Sequence, residues 1–188
     1  MLRKLEESHS EEISNFYIDI KNTFGITYTP DFFKILANNF TVALGVWEGY
    51  KNILASGCLP LQIKEMIFLY VALERKCNYC SSTHLAVCNM VDVNHDNING
   101  LKNDLDLIKP TEIRIVLYFV RDFIKGNSTV LSLKELNRIG FSEEEVVEII
   151  SMITLCNTAV NIALTLEISD IEPEINEYLT ECNLQTGL

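Results

Sequence analysis

Residues Leu61 to Arg75, LQIKEMIFLYVALER, constrain the fold more than any other stretch of this chain. After Glu65 the segment is apolar on nearly every side, with an unbroken run from Met66 to Leu73. A surface helix shows one apolar stripe, so a segment that is apolar all round must be enclosed by other elements. IFLYVAL alone also fits a buried strand, but the length of the whole segment favours a helix, because strands span about 4–8 residues. The run is too short to cross a bilayer, which takes about 20 residues.

The flanking sequence supplies helices to enclose it. Ser10-Glu11-Glu12 opens a face of Ile13, Phe16, Tyr17, Ile20 and Phe24, with Gly25 as a stop. Thr29-Pro30-Asp31 opens a second, with Phe32, Phe33, Leu36, Ala37 and Phe40 at helical spacing, and Thr41 to Ser56 carries a third that includes Trp47 and Tyr50. Trp47 and the aromatic residues near it are read as core or subunit contacts. Cys77 to about Val91 forms the next helix, followed by a polar connection rich in Asn and Asp between Asn94 and Asp104. Pro110-Thr111-Glu112 introduces another, Ser132 with Glu135 and Ser142 with Glu145 have capping-box spacing, and a last helix is expected around Glu172 to Cys182. No strand pattern competes, so the expected class is all-α, with roughly eight to ten helices. Gly57 precedes Glu65 by eight positions as Gly140 precedes Glu148, a weak sign of duplication.

Composition narrows the function. With 188 residues, 48% hydrophobic and 22% charged, the chain suits one ordered domain over 1–188. A net charge of -11 without a basic cluster disfavours nucleic acid and anionic membranes as partners. The opening MLRKLEESHSEE has no apolar export segment, so a cytoplasmic location is expected. There the six cysteines, at 58, 77, 80, 88, 156 and 182, are read as reduced thiols.

Two of them carry a pattern. CNYCSSTH, continued to Cys88, places Cys77, Cys80, His84 and Cys88 within an arc of roughly 80° on one helix face. A thiol at a helix N-terminus beside an imidazole is drawn toward thiolate, the nucleophilic form. Cys80 gains both influences if the helix starts near Cys77. A thiolate oxidised to sulfenic acid condenses with a second thiol, and Cys77, nearer the helix start, is the natural partner. Zinc is disfavoured, because those four side chains spread over about 16 Å of helix. Two buried unreactive thiols, or a histidine that is merely satisfied, remain the bland readings.

Glu65 is an acid on an apolar face, flanked at helical spacing by Phe68, Leu69 and Ala72, and needs a partner or a proton. On one straight helix Glu65 and His84 would lie about 28 Å apart. A chain reversal within Glu74-Arg75-Lys76, midway between them, would set them opposite each other.

Glu65, Cys77-Asn78-Tyr79-Cys80 and His84 together resemble the motif of AhpD-like alkylhydroperoxidases in the carboxymuconolactone decarboxylase superfamily. Gly57-Cys58-Leu59-Pro60 before the glutamate helix, and Gly140-Phe141-Ser142 before a helix reaching Asn157 and Asn161, extend the likeness over about 30–165. The resemblance implies an all-helical homo-oligomer that reduces hydroperoxides without cofactor or metal, as an antioxidant recharged by a dithiol or thiol-protein reductant. It implies Cys80 as the peroxidatic residue, Cys77 as the resolving one, and His84 with Glu65 as a proton relay. Some members carry a second histidine directly before the reactive cysteine, where this chain has Tyr79. Three other activities fit the residues: a thioredoxin-like disulfide exchanger, which needs a β-sheet, a decarboxylase-like enzyme on the helical scaffold, and a redox sensor.

Overall fold

Helix boundaries follow local chemistry throughout the computed structural model, which describes residues 2–186. In α1, Glu11–Phe24, the Ser10 hydroxyl accepts the Ile13 N–H, and Gly25 closes the helix at φ +66°. α2 spans only Asp31–Leu36, short of Phe40, because Asn39 accepts the Val42 N–H and caps the following helix. That helix, α3, Phe40–Gly49, runs on into one π-helical turn, Tyr50–Leu54.

Pro60 opens α4, Leu61–Glu74, where every residue from Ile63 to Ala72 is buried. Burying a large apolar side chain contributes about 1.5–3 kcal/mol. The helix reading of IFLYVAL therefore holds, and Lys64 and Glu65 are left inside needing partners. α4 packs against α5, Asn78–Met90; α6, His95–Asn103; α7, Thr111–Ile124; and α9, Glu143–Thr165. α8, Val130–Arg138, and α10, Pro173–Glu181, complete ten α-helices, with no strand among the described residues.

Two further stretches differ from the sequence expectation. The Asn- and Asp-rich connection folds as α6, because Ile98 and Leu101, three apart, are both buried and Asn94 accepts the Asp96 N–H. The capping box of α8 joins Thr129 with Ser132, while Glu135 pairs with Arg138 instead. The Ser142–Glu145 box opens α9 as expected. α9 is long and apolar enough to cross a membrane by length and composition, with a mean hydropathy of 1.6, yet half of that apolar window is buried inside the protein.

α4 and α5 form a helical hairpin. The Cys77 N–H donates to the Ala72 carbonyl and the Lys76 N–H to the Leu73 carbonyl, each 3.0 Å, with Lys76 left-handed at φ +55°. This is the Schellman closure of a helix. Its last residue, Cys77, is also the N-cap of α5, so one turn both ends the first helix and starts the second.

Around Trp47 an aromatic cluster of Phe24, Phe33 and Tyr50 packs mainly edge-on, and the indole N–H donates to Asp19 at 2.6 Å. Trp47 is thereby a core residue.

Candidate active site

The N-terminus of α5 holds the two thiols. Cys77, as N-cap, accepts the Cys80 N–H at 3.5 Å, and the two sulfurs lie within hydrogen-bond distance at 2.9 Å, with the less acidic Cys80 thiol as the donor once Cys77 ionises. The hydrogen bond from Cys80 lowers Cys77 to about 7, aided by the N–H groups of Cys80 and Tyr79 and opposed by burial. Donating that bond, together with burial, pushes Cys80 up. Cys77 is thus the more readily ionised of the two sulfurs, and a proton can be shared between them.

Three thiols outside the pair are raised, unlike Cys77. Burial pushes Cys88 and Cys156 up. Cys58 is exposed, but donates to Glu148 at 2.7 Å and is pushed up to about 11, chiefly by that bond.

The hairpin brings Glu65 to His84. The carboxylate Oε2 lies 2.6 Å from the imidazole Nδ1, with both residues buried. The ring stacks on Phe68, centroids 3.5 Å apart and planes 15° apart, so its orientation is fixed from the side as well as from Nδ1. Such a pairing leaves Nε2 as the working nitrogen.

Glu65, Cys80 and His84 line one cavity of about 300 Å³, walled largely by Phe24, Phe32, Phe33, Phe68 and Met90. That size falls at the lower end of small-molecule sites, and the apolar wall with a few polar groups is their usual composition. Cys77 is not part of the wall. The cavity therefore reaches Cys80, while the more readily ionised sulfur lies behind it.

Tyr79, between the two cysteines, is tied elsewhere. Its hydroxyl donates to Glu172 at 2.6 Å and accepts the Phe32 N–H at 3.3 Å. Glu172 also accepts the Asp31 N–H at 2.8 Å, and burial raises its pKa. The segment before α10 and the start of α2 are thus fastened to the middle of the thiol motif.

Lys64 forms a second buried cluster on the opposite flank of α4. Its ammonium donates to the carbonyls of Ile53, at 2.9 Å, and Ser56, and pairs with Glu148. Glu148 accepts the N–H groups of Cys58 and Leu59 at 2.8 and 3.2 Å. Gly57 is required there, since its φ is +106° and a Cβ would collide with the Glu148 carboxylate.

All four sequence-chosen residues gather at the α4–α5 hairpin, as the two pairs Cys77 with Cys80 and Glu65 with His84. The sequence reading missed Tyr79 with Glu172 and the Phe68 stack on His84. It noted the Gly57 and Glu148 positions only as an echo between halves, and the structure joins them. A partner 93 positions away, as Glu172 is from Tyr79, leaves no local spacing signal.

No family model matches the chain, and no curated protein matches it. Solved structures do. A cysteine-to-alanine variant of the debrominase Bmp8, in complex with 2,3,4-tribromopyrrole, superposes with a TM-score of 0.80 at 19% identity, covering 96% of each chain. The AhpD core of an uncharacterised peroxidase-related protein from Ralstonia eutropha JMP134 gives 0.80 at 16% identity, over 99% of this chain and 95% of that one. The chain has the AhpD-like fold. An uncharacterised peroxidase-related protein from Silicibacter sp. TM1040 gives 0.77 at 18% identity, over 88% of this chain and 87% of that one. In this AhpD-like fold the ten helices are accounted for, and the thioredoxin fold, which requires a sheet, is excluded for the described residues.

Proposed function

We propose that the protein is a thiol-dependent peroxidase, with Cys80 as the attacking residue and Cys77 as the resolving one. The observation that carries this reading is the hydrogen-bonded dithiol at the head of α5, opening through Cys80 onto a cavity that also holds the Glu65–His84 pair. The Cys80 proton passes to the Cys77 sulfur, 2.9 Å away, as a hydroperoxide enters. The Cys80 thiolate attacks the terminal peroxide oxygen: an S–O bond forms, the O–O bond breaks, and sulfur is oxidised to sulfenic acid. The departing alkoxide takes a proton from His84, whose charged form Glu65 stabilises. Cys77 then attacks the sulfenic sulfur, the disulfide forms, and hydroxide leaves with the Cys77 proton as water. An external dithiol or thiol protein restores the pair, exchanging its own two thiols for a disulfide.

A halogenated aromatic is the second reading, favoured by the apolar cavity and by the likeness to a debrominase bound to a bromopyrrole. There the thiolate would take bromine from carbon, the ring carbon would gain a proton, and the second thiol would expel bromide as the disulfide forms.

One experiment separates the two. Reduced protein is given one equivalent of cumene hydroperoxide or of a bromopyrrole, and thiols, bromide and intact mass are measured. The peroxidase reading expects loss of two thiols with the peroxide, and in Cys77→Ser a trapped sulfenic acid on Cys80. Thiol counts unchanged by peroxide, or unchanged peroxide consumption in Cys80→Ser, would overturn it.

A further inference from the structure

One buried hydroxyl in the cavity wall has no assigned task. Tyr50 is 7% exposed, and its phenol makes no hydrogen bond to any described residue. Its oxygen is not fully enclosed, so the hydroxyl is free to bond water or a ligand in the cavity whose wall it forms.

The other hydroxyls of that wall are committed or peripheral. Tyr79 donates to Glu172, and Thr83 donates to the Tyr79 carbonyl at 3.0 Å. Thr23 is exposed and Tyr28 partly exposed, which places them toward solvent. Tyr50 is the inner one. Its ring packs on Phe68, centroids 6.2 Å apart, and Phe68 in turn stacks on His84, which places Tyr50 at the reactive end, and burial keeps the phenol protonated as a donor.

Its backbone is also irregular. Tyr50 is the first residue of the π-helical turn Tyr50–Leu54. Such turns insert a residue into a helix and re-aim side chains, and they recur at functional sites. Rings of Phe24, Phe32, Phe33 and Phe68 surround it with centroids 5.2–6.3 Å away, so the phenol is held rigidly.

We propose that Tyr50 is a ligand-binding residue whose hydroxyl donates a hydrogen bond to the lone oxygen function of an otherwise apolar, uncharged ligand seated against Cys80. The class is a compact aromatic or branched-alkyl body carrying one hydroperoxide or hydroxyl group. This deepens the peroxidase reading and rests on the same cavity, but the binding step needs no thiol chemistry. An anionic ligand is disfavoured, because Glu65 and the Cys77 charge lie at the same end.

The test uses the reduced full chain and two probes of nearly equal shape, 2-phenyl-2-propanol and tert-butylbenzene. Their dissociation constants are measured by nuclear magnetic resonance titration for wild type and Tyr50→Phe, which keeps the packed ring. The wild type should prefer the alcohol, and the variant should lose about fivefold of that preference, the worth of one neutral hydrogen bond. In wild-type protein with ring-labelled tyrosine, the Tyr50 resonance should move with the alcohol and stay with the hydrocarbon. An alcohol preference unchanged in Tyr50→Phe, a Tyr50 resonance indifferent to the alcohol, or no binding of either probe overturns the proposal. Failure of peroxide consumption with the alcohol preference intact would sink the peroxidase reading alone.

Discussion

At the scale of single residues, the question is which of six similar thiols becomes a nucleophile. The spacing of Cys77, Cys80 and His84 marks in the sequence the pair that the structure joins at the head of α5, because an N-terminal helical position and a nearby imidazole are both local features. Which sulfur holds the charge is not readable from spacing alone. It depends on the Cys80 thiol turning toward Cys77, and on Glu148 silencing exposed Cys58 from 90 positions away. A thiol reacts as its thiolate, so the rate of alkylation at the Cys77–Cys80 pair, followed by peptide mass to keep exposed Cys58 and Cys182 apart, should rise with pH through about 7, the value of Cys77, and then level off. Ultraviolet thiolate absorbance should show the same step. Replacing Cys80 by alanine removes the donor that lowers Cys77, so the step should move up toward the ordinary thiol range. A step that stays in place would assign the effect to the helix terminus alone.

At the scale of elements, the hairpin of α4 and α5 sets the distance between Glu65 and His84. Its position was legible from symmetry: a reversal at Glu74-Arg75-Lys76 is what levels residues 19 apart. Most helix starts were legible too, because caps and apolar faces lie within a few residues of each other. α6 was hidden because seven Asn, Asp and Gly residues between Asn94 and Asp104 outweigh its two buried apolar positions in a local count. At the turn itself Lys76 holds φ +55°, a conformation that costs a side-chain-bearing residue about 1–2 kcal/mol and glycine nothing comparable. Lys76→Gly should therefore shift stability by less than about 1 kcal/mol, since relief of strain offsets the added freedom of the unfolded chain. A β-branched side chain is worse placed there, so Lys76→Val should cost at least about 1–2 kcal/mol in urea unfolding and slow thiol alkylation, because Cys77 shares the turn. Equal stability of the two variants would remove the turn from the account.

At the scale of the whole molecule, two long-range fastenings hold α4 and α5 in place, Tyr79 with Glu172 on one side and Lys64 with Glu148 on the other. Neither was legible as a contact, because each joins residues more than 80 positions apart and only folding reveals the partner. The Lys64 cluster is the stronger test of what such a fastening does. Lys64 is 2% exposed, and its only charge partner among the described residues is Glu148. Burial alone would raise the Glu148 pKa, but the thiol of Cys58, the Lys64 ammonium and the N–H groups of Cys58 and Leu59 outweigh it and hold the carboxyl below its usual range. A lowered carboxyl contributes stability above its unfolded pKa and loses it as pH falls through the folded one, so acid should loosen the loop before α4. Glu148→Gln keeps an acceptor for the loop but strands the lysine charge, at a cost of about 3–5 kcal/mol. Adding Lys64→Met should recover most of that loss, since an apolar chain of similar length needs no counter-charge. Chemical unfolding of the wild type, both single variants and the double variant closes the cycle. Simple addition of the two single costs would show that the pair is not coupled, and the acid limb should be shallower wherever Glu148 is absent.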